Sequence, residues 1–217
     1  MLKADLHIHT EYSMDCSTSL EKLVDRCLEL DISCIAVCDH GTAEGALKLS
    51  SLAPFTVIVA EELLTPHGEI MGMFLKETIP SGMSVEETIS SIRAQNGLVC
   101  IPHPLDNFRP SALNGKALEE IAGQIDIVEV FNARTLPFQK LTGAGTFARK
   151  HGLGQSAGSD AHTLAEVGKA YVEMPEFSGQ EDFLQALARG KVCGHRTNPL
   201  VHFLSLGNRL KKKFRQQ

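Results

Sequence analysis

Met1-Leu-Lys-Ala-Asp-Leu-His-Ile-His-Thr10 alternates polar Asp5, His7 and His9 with apolar Leu6 and Ile8. A two-residue period is the signature of a strand whose successive side chains face opposite ways. Two imidazoles at i and i+2 on one face can grip a metal ion if that face borders a closed cavity. A lone His-x-His pair is more often ordinary structural histidine. Its meaning therefore depends on what the rest of the chain brings to the same place.

Working outward, a loop over 11–17 precedes a helical stretch from about Ser19 to Leu30, with Leu20, Leu23, Val24, Cys27 and Leu28 as its apolar stripe. Ile32–Cys38 reads as a buried strand ending in Asp39-His40-Gly41, followed by a short helix from about Thr42 to Ser51. Phe55–Ala60 is a strand ending in Glu61-Glu62, and Pro66-His-Gly68 is a turn into a hairpin partner, Glu69–Phe74. A capping box, Ser84 with Glu87, starts a helix that runs to Gln95. Leu98–Ile101 is a strand ending in Pro102-His-Pro104, and a loop carrying Arg109 leads to a helix near Lys116–Ile121. A strand over Ile125–Phe131 ends in Asn132-Ala-Arg134, and a helix is expected over Phe138–Lys150. Gly154–Ala157 leads into Gly158-Ser-Asp-Ala-His162, then a short strand Lys169–Val172 and a helix Glu181–Arg189.

Strand and helix alternate without a linker, which implies an α/β protein with a parallel sheet and helical crossovers. About seven such units favour a closed or nearly closed barrel. An open doubly wound sheet would normally carry a glycine-rich phosphate turn after its first strand, and His9-Thr-Glu-Tyr-Ser13 contains no glycine. Residues 1–200 form one barrel domain on this reading, and 201–217 a basic tail around Arg209-Leu-Lys-Lys-Lys-Phe-Arg215. The tail is read as a solvated helix end, with a role in holding an anionic partner as the alternative.

The 217 residues, 43% hydrophobic and 22% charged, suit a globular domain with a sizeable core. A net charge of −5 argues against a duplex nucleic-acid surface, which needs a basic face. Cys16, Cys27, Cys34, Cys38, Cys100 and Cys193 show no metal-ribbon spacing and are expected as reduced thiols. With no signal peptide ahead of the first strand and no apolar run of transmembrane length, a cytoplasmic location without membrane association is expected.

The remaining histidines and acids fall into order. His7 and His9, His40, Glu62, His103, Asp160 and His162 each stand where a predicted strand runs out, and Asp15 lies in the first loop. In a β/α barrel those ends converge on one face. Taken singly each has an ordinary structural reading, but eight at one face do not. The donors are nitrogen and oxygen only, which suits zinc, manganese or iron. Eight ligands exceed the needs of one ion and imply two or three that share a carboxylate. Of the adjacent Glu61 and Glu62 only one can face inward; the other is expected in solvent or paired with a lysine. His67, His151, His195 and His202 lie off the pattern.

Asp5-Leu-His-Ile-His-Thr10, Cys38-Asp-His40, Glu62-Leu-Leu-Thr65, Ile101-Pro-His-Pro104 and Gly158-Ser-Asp-Ala-His162 resemble, in order, the motifs of the PHP (polymerase and histidinol phosphatase) family. The resemblance implies a distorted (βα)7 TIM-like barrel, a trinuclear metal centre and phosphoesterase activity. By position it would put His7, His9, Glu62 and Asp160 on one ion, Glu62 and His103 on a second, and Asp15, His40 and His162 on a third. Two departures stand out. Where many members add a histidine or cysteine ligand, this chain has Glu129, Asn132 and Arg134; where some carry a hairpin histidine, it has Gly68-Glu69-Ile70. Neither Glu69 nor His67 is assigned as a substitute.

The expected function is hydrolysis of a small phosphorylated substrate (nucleotide, nucleoside bisphosphate or sugar phosphate) by a metal-bridging hydroxide. Arg109, Arg134 and Asn132 are candidate substrate-binding residues, and Asp5 is expected to orient a ligand by a hydrogen bond. The alternatives are a metal-loaded phosphate- or nucleotide-binding regulator without turnover, and an amidohydrolase-type hydrolase. The latter commonly bridges its metals with a mid-barrel lysine, which this chain lacks at the corresponding strand ends.

Overall fold

The computed structural model describes residues 1–136, 139, 142–201, 207 and 212. Its sheet is one nine-stranded array in the order β7-β6-β5-β4-β3-β2-β1-β8-β9. The strands are β1 (Leu2–Ile8), β2 (Cys34–Val37), β3 (Thr56–Thr65), β4 (Gly68–Met73), β5 (Leu98–Ile101), β6 (Ile127–Asn132), β7 (Gly154–Gly158), β8 (Ala170–Met174) and β9 (Lys191–Gly194). Helices α1 (Leu20–Glu29), α2 (Glu44–Leu52), α3 (Val85–Ala94), α4 (Gly115–Glu120), α5 (Thr142–His151) and α6 (Gln180–Ala188) lie between them.

Strands β1, β2 and β3 are mutually parallel, as are β5, β6 and β7. The place between the two sets is taken by β4, antiparallel to both neighbours. The barrel is thus distorted at the expected hairpin, and β9 is a strand the sequence pattern does not announce. The sheet all but closes on itself. The lower half of β1 pairs with antiparallel β8 from Leu2 to Ala4, while its upper half bonds to the segment after β7, with Asp160 N donating to His7 O (2.8 Å) and His9 N to Ala161 O (3.0 Å). Gly158 makes this seam possible. A Cβ there would stand 2.2 Å from His7 Cβ and 2.7 Å from His7 N, so no larger residue fits.

Leu6, Ala36, Ile58, Ala60, Met71 and Leu98 fill the barrel interior beneath the upper face. Two outer clusters lie between the sheet and the helices, one of them joining Ile8 to Leu23 of α1 and Leu49 of α2. Leu6 and Ile8 therefore face opposite sides although two residues apart. The pairing of β1 with β2 shifts register between Asp5 and Ile8, and this irregularity re-aims the end of the strand. The simple alternation expected for Asp5, His7 and His9 does not hold across it.

The capping box of α3 is present, with Ser84 accepting from Glu87 N and Glu87 reaching back to Ser84 N. In α1 the buried residues are Leu20, Leu23 and Cys27; Leu28, expected in the stripe, is exposed. All six cysteines are free, and burial lifts the Cys34 and Cys38 thiols to about 12. Among the described residues no helix is long and apolar enough to cross a membrane. Phe138, at the expected start of α5, and most of the tail lie outside the described residues.

Candidate metal centre

All eight predicted ligands meet at the top of the barrel. Six are buried; His40 and Asp15 stand at the edge. Glu62 corrects one expectation: it lies inside β3, not at its end, because the strand runs on to Thr65. Its parity with Ile58 and Ala60 turns it into the barrel. Glu61 turns outward, yet it is neither solvated nor paired with a lysine. It is buried and accepts from Ile79 N at 2.8 Å, and burial pushes its carboxyl up to about 7.

His7 Nε2 and His9 Nε2 are 3.2 Å apart. Glu62 Oε2 lies 3.6 and 3.5 Å from them, and Asp160 Oδ1 lies 3.7 and 3.4 Å away. A tetrahedron with metal–ligand bonds of about 2.0–2.1 Å has edges of about 3.3–3.4 Å, so these four atoms are spaced as ligands to one ion. Glu62 Oε2 and Asp160 Oδ1 are also buried with no hydrogen-bond donor. Orphaned carboxylate oxygens are costly in a protein interior, and a cation among them removes the cost.

The other Glu62 oxygen, Oε1, lies 2.9 Å from His103 Nε2, and Glu69 Oε2 lies 3.5 Å from the same nitrogen. Glu69, which the sequence motifs do not assign, is buried beside His103 and His40. Its signal was the alternation Glu69-x-Met71-x-Met73, whose methionines fill the barrel below. On the third side Asp15 Oδ2 stands 3.4 Å from His40 Nε2 and 3.3 Å from His162 Nε2. His40 Nδ1 faces Glu62 Oε2 at 3.3 Å, and the His9 ring lies between His40 and His162. Glu62 is thus common to all three groupings. The nitrogen and oxygen donors fit divalent cations.

Electrostatics agree. Burial works against charge on His7 and His40, but the surrounding acids outweigh it, lifting His7 well above its ordinary value and His40 to about 10. Burial likewise opposes ionisation of Glu62 and Asp160. His7 and His40 hold Glu62 well below the usual carboxylate range, and Arg109 and His7 do so for Asp160. Without cations the site balances its acids with protons.

Supporting contacts hold the donors in place. His7 Nδ1 lies 3.1 Å from Glu129 Oε1, and Glu129 Oε2 accepts from His103 N (2.7 Å) and Asn132 Nδ2 (3.0 Å). Glu129 therefore acts behind the ligands. Asn132, expected to touch substrate, is buried with its amide on Glu129 and Asp160. Asp5 does not touch an imidazole; it accepts from Ser159 N, Gly168 N and His7 N, tying β1 to the segment that carries Asp160. Arg134 is buried, with Nε 3.0 Å from Glu166 Oε1 and Nη1 2.9 Å from His162 Nδ1. Arg109 Nη2 donates to Asp160 Oδ2 at 2.7 Å and stays partly exposed. Asp160 and His103 have left-handed backbone (φ 55° and 30°), a conformation that clusters at functional sites. Cys38 lies close to His7 and His9, but its thiol is neutral and faces Ile8 O.

An open cavity of about 840 Å³ lies above these groups. Asp15, His40, Glu62, Glu69, Asp160 and His162 face it, together with Arg109 and Arg134.

Comparison with known proteins agrees with this architecture. The PHP domain family matches residues 5–56 and the PHP-associated family residues 140–192. An uncharacterized protein of Methanocaldococcus jannaschii is 35% identical over 181 residues, which cover 82% of this chain and 72% of that one. The chain belongs to the PHP family. Among solved structures, a two-domain Bacteroides vulgatus protein containing a predicted PHP-like metal-dependent phosphoesterase aligns with a TM-score of 0.70 at 17% identity, over 89% of this chain and 65% of that one. A lesion-specific endonuclease of Pyrococcus furiosus aligns with a TM-score of 0.65 at 16% identity, over 91% of this chain and 59% of that one. The chain thus spans about two thirds or less of these two structures, and the likeness is one of fold.

Proposed function

We propose that this protein is a metal-dependent phosphoesterase that hydrolyses a small phosphorylated molecule. The observation that carries the reading is the sharing of Glu62: one oxygen faces His7 and His9, the other faces His103. A carboxylate placed in this way would hold neighbouring cations close together, an arrangement that suits phosphoester hydrolysis. Divalent ions bound there supply Lewis acidity towards a phosphoryl group and activate water for attack.

The chain's own residues do the positioning. Glu129 keeps the His7 proton on Nδ1, which leaves Nε2 free as a donor to metal. Asn132 and Arg109 occupy Asp160 Oδ2, so that Oδ1 faces the histidines. Arg109, in the cavity wall, presents a guanidinium to an incoming phosphate. Arg134 is committed to Glu166 and adds positive charge from behind. The acids around the cluster favour cations first and the phosphate only after them.

The test is turnover by protein reconstituted with manganese, zinc or iron. p-Nitrophenyl phosphate, its bis-ester and a panel of nucleotides and sugar phosphates form the substrate set. Metal-dependent release of phosphate or p-nitrophenol is expected. No turnover with any metal on any of them would reject the enzyme and leave a phosphate-binding regulator.

A further inference from the structure

Seven of the eight donors at the metal centre stand on strands or within four residues of one. Asp15 does not. It lies in mid-loop, between Ile8, which ends β1, and Leu20, which begins α1. The loop's own backbone bonds run from Glu11 N to Thr18 O (2.8 Å), Ser13 N to Thr10 O (3.0 Å) and, more loosely, Cys16 N to Ser13 O (3.5 Å). Fixing such a stretch costs conformational entropy at every residue, so a ligand carried on it needs holding from outside.

The hold comes from the basic tail. Lys212 Nζ donates to Glu11 O at 2.5 Å and to Ser13 O at 2.7 Å, 201 and 199 positions away in the chain. An ammonium is a donor only, and its hydrogen bonds are charge-assisted, so it pins two carbonyls to one point. Ser13 passes the constraint inward. Its Oγ donates to Asp15 Oδ1 at 2.8 Å, while Asp15 Oδ2 faces His40 Nε2 at 3.4 Å and His162 Nε2 at 3.3 Å. The start of the tail is fastened on the other flank of the same ligands. Arg134, whose Nη1 lies 2.9 Å from His162 Nδ1, donates through Nη2 to Val201 O at 3.3 Å. Just before it, Thr197 donates from N and Oγ1 to Ala133 O at 2.8 and 3.1 Å. Both attachments thus lead to one of the three groupings, Asp15–His40–His162.

Resting on the reading of the cluster as a metal centre, we propose that Lys212 is a positioning residue of that centre. By drawing the Glu11 and Ser13 carbonyls together it fixes the loop that sets Asp15 against His40 and His162. The tail is then a working part of the site, and its charge at position 212 is used on the chain's own carbonyls.

The experiment uses the full chain and does not depend on turnover. Lys212→Met keeps the apolar stem and removes the donors, whereas Lys212→Arg keeps the charge and offers donors again. In metal-free protein, amide hydrogen exchange over residues 13–16 is expected to quicken about tenfold in Lys212→Met and to stay near the starting rate in Lys212→Arg. In protein titrated with manganese or zinc, chelator competition should show one ion of the set held about tenfold more weakly in Lys212→Met, the others unchanged, and recovery in Lys212→Arg. Unaltered unfolding temperatures of the metal-free variants would show intact folds. Unchanged metal affinity in Lys212→Met would overturn the proposal, whether or not exchange quickens. Equal weakening of every ion would overturn it too, as general loosening of the fold. So would an equal effect of Lys213→Met, since the tail would then act through its summed charge. A starting protein that takes up no metal, with exchange still responding to Lys212→Met, would reject the metal centre and keep Lys212 as the clamp of the Asp15 loop.

Discussion

The His7 imidazole and the Glu129 carboxylate meet at 3.1 Å across the barrel, from strands at opposite sides of its seam. Glu129 accepts on both oxygens, from His7 Nδ1 on one and from His103 N and Asn132 Nδ2 on the other. Glutamine keeps only one carbonyl oxygen, so Glu129→Gln must turn an N–H towards one of these donors. Metal affinity is expected to fall by roughly 10- to 100-fold, the usual effect of losing a partner behind a ligand. Competition against a chromophoric chelator measures it, and unchanged affinity would remove Glu129 from the centre.

Gly158 is the steric condition for closing the barrel. A methyl group there would meet His7 Cβ at 2.2 Å and the His7 backbone, none of which is the far end of a flexible side chain. Gly158→Ala is expected to destabilise the fold by about 3 kcal/mol, at the upper end of overpacking costs, and to loosen the His7–Asp160 spacing. Denaturant unfolding together with metal analysis checks both. A stable, fully loaded variant would mean that the seam can open without harm.

Much of this was legible in the sequence, for physical reasons that differ from place to place. The ligands could be found because each stands beside a buried apolar strand, and barrel strand ends converge. What the periodicity could not show is a break in itself. The irregularity between Asp5 and Ile8 cancels the alternation that would put Asp5 beside the histidines. Glu69 was hidden because a hairpin strand of Glu, Met and Gly reads as well for surface as for interior. Asn132 reads as a substrate contact because an amide after a strand fits that role as well as a supporting one, and the fold places its amide, buried, on Glu129 and Asp160. β9 carries an exposed or half-buried sequence with no strand period to announce it.

Glu69 separates the second grouping from the first. Its oxygens face His103 and His40, whereas the His7–His9–Asp160 atoms have no contact with it. Glu69→Gln is therefore expected to lower the metal content after exhaustive dialysis by about one ion per chain and to leave the tightest site filled. Elemental analysis of the dialysed variant gives the answer. Loss of all metal, or of none, would contradict separate sites around a shared Glu62.

The same electrostatics set how metal binding depends on pH. In the metal-free protein burial opposes charge on His40, but Glu62 and Asp15 lift it to about 10, and His7 is raised as well. A raised histidine contributes stability that is fully present below its unfolded value, about 6.5, and is lost as pH rises through the folded value. The metal-free fold should therefore weaken from neutral pH towards about pH 10. A bound cation needs those nitrogens deprotonated, so binding expels protons and strengthens as pH rises. The gain in unfolding temperature on adding metal is then expected to grow between about pH 6 and about pH 9. Calorimetric titration in buffers of different ionisation enthalpy should report protons released per metal bound. A metal-induced gain that is flat with pH, with no proton release, would show that His7 and His40 are already neutral in the metal-free site.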